Sequence, residues 1–431
     1  MTRSRTAALM SSLSLRVLVA LVAGLLAGAA AQAWGIPGGT GTVGVVEGLG
    51  QLWLNALRMT IIPLVFSLLV TGIASIADAA ATGRLALKAV IVFAVLLIGA
   101  TVYGVFASLG LLSAWPIDPD GARLLLSGAT GDAAVRENVG GGGLTAFLTN
   151  LAPANPIRAA AEDAILGIVV FAIVFGFAAT RLPARLRQPM TVFFEAVAET
   201  MIVIVHWVLL AAPVGVFALS LGVGLRAGLG AAGVLGHYIA IVVLALIGLI
   251  LLTYVVATVW GRVSLSRFAR AAAPAQVVAF STQSSLACLP VMVERARDRL
   301  GVSAATAGLV LPLAVAVFRI TSTVANLAVC VYVAHLYGIP LTPGVLIAGS
   351  VTAVAVSVGT VGLPGQVSFF ASIAPIAIVM GLPLEVLPLL LAVEVVPDIF
   401  RTIGNVTADL AAARIVEGRD ATADPEAASG I

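Results

Sequence analysis

The sequence predicts an all-α polytopic membrane protein with eight transmembrane helices and two re-entrant helical hairpins. Three observations carry this. Hydrophobic residues fill 61% of 431 positions and charged residues 10%, with mean hydropathy +1.13, far from the roughly 25% charge of soluble domains. Apolar runs of about 20 residues or more, enough to cross a bilayer, recur along the chain. Two further apolar segments have small, hydroxyl-bearing residues in their middles and do not read as crossings.

Taken in order, the opening MTRSRTAALMSSLSLRVLVALVAGLLAGAA is basic and then apolar. No clean small-residue cleavage site precedes a soluble domain, so it reads as a first span, 14–35, rather than a signal peptide. The next spans are 44–77, 85–113, 144–180, 188–223, 230–261 and 303–336, and the eighth is 380–416. Several exceed the minimum length, so tilt or breaks are expected, with Pro63, Pro153, Pro156 and Pro213 as break points. If the N-terminus is cytoplasmic, Arg3, Arg5, Arg16, Arg84, Lys88, Arg181 and Arg262 fall inside, as do the arginines of 295–299. The loop 35–43 has no charge, and the loop 115–143 mixes Asp118, Asp120, Asp132 and Glu137 with Arg123 and Arg136. The positive-inside rule then places both termini in the cytoplasm, with the chain multi-pass in the cell membrane.

Residues 271–293, AAAPAQVVAFSTQSSLACLPVMV, have basic segments on both sides. With both flanks cytoplasmic, the segment must enter and return. Residues 344–378 have the same character, with SVGTVGLPG in the middle and the uncharged turns YGIPLTPG and GLPLE outside. Both read as re-entrant hairpins. Backbone at membrane depth is tolerated only where it lines a cavity or is buried in protein, so both tips are expected near a polar site. Paired broken elements are also a pointer to a transport site.

That polar site is sought in DIFRTIGNVTAD, 398–409. At about 100° per residue, Glu394, Asp398, Arg401, Thr402, Asn405 and Asp409 share roughly a third of the helix circumference. A carboxylate at mid-membrane costs at least about 2.5 kcal/mol unless it meets a partner, an ion or water. Other chemistry finds little support. The basic residues are scattered, which argues against nucleic acid. Cys288 and Cys330 sit in apolar surroundings with no metal spacing. His206, His237 and His335 are isolated and read as packing or interface residues. No nucleophile, base and orienting group converge, so no enzyme is expected.

The stretches LRMTIIPLVFSLLVTGIASIAD (57–78), LAPANPIRA (151–159), AAPVGVFAL (211–219), AFSTQSSLACLPV (279–291), SVGTVGLPG (357–365) and DIFRTIGNVTADL (398–410) together resemble the dicarboxylate/amino acid:cation symporters. The resemblance covers nearly the whole chain. It implies a homotrimer in which a transport domain moves against a scaffold as an elevator. Residues 1–13 would be a cytoplasmic N-terminus, and 14–267 would hold spans 1–6, with the scaffold from spans 1, 2, 4 and 5. Spans 3 and 6 would join the core at 268–416, and 417–431 would be a disordered tail. The implied substrate is an acidic amino acid or dicarboxylate. Arg401 would take its side-chain carboxylate, Asp398 its α-amino group and Asn405 its α-carboxylate. Arginine's planar fork matches a carboxylate, and Asp398 one turn away suits an ammonium. Thr402, Thr321 and Ser322 would add hydroxyls nearby. Ser284 and Ser285 would offer hydroxyls and backbone donors from the first hairpin tip. Gly359, Val361, Gly362, Pro364 and Gly365 would form the gating tip of the second.

The sequence also departs from the family. Sodium-coupled members carry Asn-Met-Asp-Gly-Thr in the unwound middle of the seventh span, where this chain reads Phe318-Arg319-Ile320-Thr321-Ser322. In the third span a Tyr and a Thr-Ser pair are replaced by Phe93 and Leu96-Leu97. That sodium site is not expected. Asn405 and Asp409 keep ligands of a second site, and Ser357 to Thr360 could supply a third, though a hard cation wants about six oxygens. Arg319 cannot lose its proton and needs a permanent negative partner. We read it as a tethered cation in place of a sodium charge, partnered by Asp398, Asp409 or substrate; Glu195 or Glu199 is the alternative partner. Glu394, costly to keep ionised out of water, is then the candidate proton carrier.

Overall fold

The computed structural model describes residues 13–34, 41–81, 83–129, 152–162, 164–227, 231–359 and 365–418, and every regular element among them is an α-helix. The first span is α1 (Leu13–Ala33), and the second is two helices, α2 (Gly41–Arg58) and α3 (Ile61–Ala81). They part at Met59-Thr60, because Pro63 has no N–H to return to the Met59 carbonyl. The Thr60 hydroxyl instead donates to Leu57 O at 2.8 Å. The third span is one unbroken helix, α4 (Arg84–Ala114).

In the following loop lies a short helix the sequence reading did not foresee, α5 (Pro119–Ala129). Its cue was the Asp118-Pro119 pair: proline is preorganised for the first helical position, and Asp118 Oδ2 accepts from Gly121 N at 2.9 Å. Next come α6 (Pro156–Ala161) and α7 (Ile165–Thr180). The side chain of Asn155 caps α6, accepting from the backbone of Ile157 and Arg158 at 3.0 and 3.1 Å. The fifth span breaks at Ala211 into α8 (Ala184–Leu210) and α9 (Ala212–Ala227), next to Pro213. The sixth is α10 (Ala231–Val259).

Each unusual segment is a pair of helices: α11 (Leu265–Thr282) with α12 (Ser285–Leu300), joined by a turn at Gln283-Ser284, and α15 (Pro343–Gly359) with α16 (Gly365–Val379). Between them, the seventh span divides into α13 (Ala304–Val317) and α14 (Ile320–Tyr337). The last divides into α17 (Leu387–Val393) and α18 (Val395–Glu417). Pro397 explains this second break, since its ring excludes a bond to the Val393 carbonyl.

The helices pack as two groups. In one, α1 lies directly on α9: a Cβ at Gly24 would sit 2.0 Å from Ser220 Oγ, and one at Gly28 2.2 Å from Leu221 O. Such a small-residue ridge is how helices approach where the surroundings are as apolar as the side chains. Trp53 of α2 covers Gly215 of α9 and donates from Nε1 to Val208 O at 2.8 Å. Phe66 of α3 packs with Phe171 and Phe175 of α7 and Phe194 of α8.

The other group surrounds α14, which is buried along nearly its whole length. Tyr103 of α4 donates to Ala245 O of α10 at 2.9 Å, and Gln276 of α11 donates to Thr407 Oγ1 of α18 at 2.8 Å. Between the groups, an ion pair at 2.8 Å joins Arg58 at the end of α2 to Glu385 just ahead of α17.

Among the described residues, six helical stretches are long and apolar enough to cross a membrane: Leu15–Ala33, Val43–Asp78, Arg84–Ala114, Ala184–Leu210, Ala232–Val259 and Ala304–Tyr337. With the shorter apolar helices this is the architecture of a multi-pass membrane protein. Two of the eight expected spans fall outside that set for identifiable reasons. Part of 144–180 lies outside the described residues, and 380–416 carries the charged face of α18.

Candidate functional site

The break between α13 and α14 has neither glycine nor proline, yet Phe318 and Arg319 leave the helical region at φ/ψ −105°/82° and −105°/70°. Tertiary partners hold it open. The Thr321 N–H, orphaned at the start of α14, donates to Asn405 Oδ1 of α18 at 3.1 Å, and the Thr321 hydroxyl donates to Arg401 O at 3.0 Å. Ser357, in α15 of the second hairpin, donates from Oγ to the Arg319 carbonyl at 3.1 Å. Gly404 makes the approach possible, because a Cβ there would meet Thr321 Cγ2 at 2.5 Å. Two backbone groups at the break, the Thr321 N–H and the Arg319 carbonyl, thus find side-chain partners on other helices, as buried polar groups require.

On the α18 face opposite this break, the predicted residues come together. Arg401 is 8% exposed and Glu394, at the α17–α18 junction, 2%. Their charges pair at 2.7 Å, Nε to Oε1, while Tyr238 of α10 donates to Glu394 Oε2 at 3.3 Å. Arg401 Nη1 donates to Asn326 Oδ1 of α14 at 2.8 Å. Its Nη2 is buried with no partner among the described residues, and the Nε–H is not aimed along the ion pair. One edge of the guanidinium is anchored and another donor is left for a ligand.

Asp398 is 9% exposed, one helical turn before Thr402. The Thr402 hydroxyl turns back to donate to Asp398 O at 3.0 Å, so its proton is spent within α18. Asn405 gives its carbonyl oxygen to Thr321 N, which leaves its amide N–H₂ as the end free to donate to an anion. Ser322 is buried beside the break. Asp409 is 1% exposed, and neither carboxylate oxygen has a hydrogen-bond partner among the described residues.

Arg319 interacts electrostatically with Asp398, Arg401 and Asp409. The alternative partners Glu195 and Glu199 are both exposed on α8. Three carboxylates (Glu394, Asp398, Asp409) therefore stand against two guanidiniums (Arg319, Arg401).

The first hairpin tip is less engaged. Ser284 accepts from Ala287 N at 3.3 Å as the cap of α12, after Gln283 turns the chain with φ 51°. Among the described residues no hydrogen bond joins Ser284 or Ser285 to α18. The Asp409 carboxylate is near enough to this hairpin to act electrostatically on Cys288 of α12. Of the second tip, Thr360, Val361, Gly362 and Pro364 lie outside the described residues, while Gly359 and Gly365 end the two flanking helices.

Phe93 and Phe318, which stand where the resemblance would put oxygen ligands, stack at 4.7 Å between ring centroids and are 3% and 1% exposed. Among the described residues there is no cluster of three or more His, Cys, Asp or Glu that could hold a metal.

Sequence reasoning missed Asn326 and Tyr238. Asn326 had a legible signal, a lone amide inside an apolar helix; Tyr238 had none, since tyrosines commonly pack.

Residues 13–419 match the sodium:dicarboxylate symporter family. The chain is 28% identical over 412 residues to the proton/glutamate-aspartate symporter of Escherichia coli (strain K12), covering 94% of this chain and 92% of that protein. It is 27% identical over 433 residues to a C4-dicarboxylate transport protein of Bacillus subtilis (strain 168), covering 98% of each. It is also 30% identical over 439 residues to the neutral amino acid transporter B(0) of Oryctolagus cuniculus, covering 94% of this chain and 80% of that one.

Proposed function

The chain belongs to the sodium:dicarboxylate symporter family, a family of transporters rather than enzymes, and we propose that it is a cation-coupled secondary transporter of acidic amino acids such as aspartate or glutamate. The observation that carries this is Arg401: anchored by Glu394 and Asn326, it keeps a buried donor without a partner beside the Asp398 carboxylate. A fixed fork suits a carboxylate, and a carboxylate one turn away suits an ammonium. The free amide of Asn405 completes the donors for an α-amino acid.

The charge balance bears on coupling. With all groups ionised the site already holds one excess negative charge, and an acidic amino acid brings another. Burying two uncompensated charges is prohibitive, so a cation must travel with the substrate. Glu394 and the unpartnered carboxylate of Asp409 are our candidates to take it up. The Phe93–Phe318 stack and the Arg319 charge argue that protons replace sodium in whole or in part.

We assign the group around α1, α2, α3, α7, α8 and α9 to a scaffold and the group around α4 and α10–α18, both hairpins included, to the moving transport domain of an elevator, in a homotrimer with both termini cytoplasmic. Both hairpins would re-enter the membrane, the second closing the site. The C4-dicarboxylate transport protein of Bacillus subtilis favours a second reading, transport of C4-dicarboxylates, because it aligns with this chain over 98% of both. The test is uptake of labelled L-aspartate and of succinate into proteoliposomes under separately imposed sodium and pH gradients. Proton-driven aspartate accumulation is the expected result. Uptake of succinate alone would replace the amino acid reading with the dicarboxylate one, and uptake of neither would remove both.

A further inference from the structure

A cleft of about 380 Å³ lies where the N-terminal end of α4 meets the last turns of α18 and the residue following α10. Its walls divide sharply by chemistry. Arg84 and Lys88 supply cations on one side, and Leu87, Ile91, Trp260 and Ile415 supply apolar surface on the other. Arg84 has no hydrogen-bond or ion-pair partner among the described residues. Lys88 reaches the Val416 carbonyl, which fixes its ammonium at the mouth of the cleft. The neighbouring acid, Glu417, is committed elsewhere: its Oε2 accepts from Ser303 N at 3.1 Å and lies 3.0 Å from the Ser303 hydroxyl. Arg414, on the same end of α18, turns to the Gly418 carbonyl. The cleft therefore has a net positive rim.

From this rim an apolar track runs away along α4. Leu87, Ile91, Val95, Ile98, Val102 and Phe106 are all exposed, between 46% and 72%. Their spacing of three or four residues puts them on one helix face. From Leu87 to Ile98 the track covers about 16 Å at 1.5 Å per residue, close to one leaflet of a roughly 30 Å hydrocarbon core. Trp260 is 45% exposed at the level of the cations, the depth where amphipathic rings anchor at a membrane interface.

We propose that this cleft is a binding site for an anionic phospholipid, with its phosphate between Arg84 and Lys88 and an acyl chain along the α4 track. A surface that merely faced bulk lipid would need the track but not the paired cations set into a cleft. A soluble phosphate would need the cations but not the track. A basic recess between helices at the membrane surface has the features that retain anionic headgroups.

The experiment is native mass spectrometry of the purified full chain, equilibrated with equimolar phosphatidylglycerol and phosphatidylcholine of identical acyl chains. The expected result is selective retention of phosphatidylglycerol, weakened roughly five-fold by Arg84→Gln and abolished by Arg84→Gln with Lys88→Gln. Excess soluble glycerol phosphate is expected not to displace it. Lys88→Gln also removes a bond to α18, so the single Arg84→Gln variant, whose side chain has no protein partner to lose, carries the decision if the double variant misfolds. Equal retention of both lipids, wild-type retention by Arg84→Gln, or displacement by glycerol phosphate would overturn the proposal.

Discussion

Phe93 of α4 and Phe318 at the α13–α14 break stack nearly face to face, with centroids 4.7 Å apart and planes 11° apart. Both are buried. The contact fills with carbon a place where the resemblance would put oxygen ligands, and an aromatic pair offers a small hard cation no lone pair to replace water. Phe318→Ala should cost about 3–5 kcal/mol by opening a cavity beside an unwound segment. A clear fall in melting temperature in detergent, with uptake no more sodium-dependent than wild type, is the expected outcome. New sodium dependence in this variant would mean that the ring only masks an intact ion site.

The guanidinium of Arg401 is positioned before any ligand arrives, by Glu394 on Nε and Asn326 on Nη1. Lysine cannot reproduce this fork. Arg401→Lys should therefore weaken L-aspartate binding by about 100-fold, the loss of about 3 kcal/mol of charge-assisted hydrogen bonding. Asn326→Ala, which frees the fork without removing its charge, should show a smaller loss. Isothermal titration of both variants tests the order: an Asn326→Ala protein weaker than Arg401→Lys would show that Asn326 acts in some other way.

Asp398 distinguishes the two substrate classes. Besides offsetting the nearby guanidiniums, its carboxylate favours a ligand only where that ligand carries an ammonium, so Asp398→Asn should weaken L-aspartate at least about ten-fold and leave succinate unchanged or improved. Competition between labelled aspartate and unlabelled succinate measures both affinities in one assay. Parallel losses for the two ligands would remove Asp398 from the role of amine partner.

At the far end of α18, outside the membrane-spanning part, Glu417 ties this helix to the cap of α13. Burial raises the Glu417 carboxyl, but hydrogen bonds from Thr306 and Ser303, with the Arg414 charge, outweigh it and hold the group below the usual range. A pKa lowered by folding contributes stability that is complete above the unfolded value, about 4.3, and is lost as pH falls through the folded value. The group is only partly buried, and solvent screening keeps the contribution under about 1 kcal/mol. Melting curves from pH 6 to pH 3 should show wild type above Glu417→Gln at the upper end and the two converging at the lower.

How far the sequence could be read depended on the kind of signal each residue left. Helices announced themselves by apolar length, and the chain breaks near Pro63 and Pro213 as expected, where a missing N–H and a ring clash require it; the break ahead of Pro397 has the same cause and was not anticipated. The polar face of α18 was legible because charge in an apolar segment is costly. The break at Phe318-Arg319 could be placed by resemblance alone, because Asn405 and Ser357, distant in sequence, are what hold it open. Thr402 shows the opposite limit: its position pointed to the site, but a local bond to Asp398 O takes its proton. Asn326 and Tyr238 entered through cross-helix contacts that no spacing within one helix encodes.

Arg319 carries the prediction with most consequence for mechanism. It sits at the α13–α14 break, its carbonyl held by Ser357 of the second hairpin and its charge acting on Asp398 and Asp409. A guanidinium keeps its charge at any working pH, so it neutralises a carboxylate permanently, whereas a bound ion does so only when present. The site would then need one fewer travelling cation, and the charge moved per substrate would fall accordingly. Arg319→Met removes the fixed charge while keeping much of the side-chain volume. We expect it to slow uptake without added cation and to make the remaining uptake depend more steeply on an external cation, whether proton or sodium. Substrate-evoked current in planar membranes reads this directly, as an increase in charge per labelled aspartate relative to wild type. Unchanged uptake, unchanged cation dependence and unchanged charge per substrate would together refute the tethered-cation role and leave Arg319 as a structural counter-ion to Asp409.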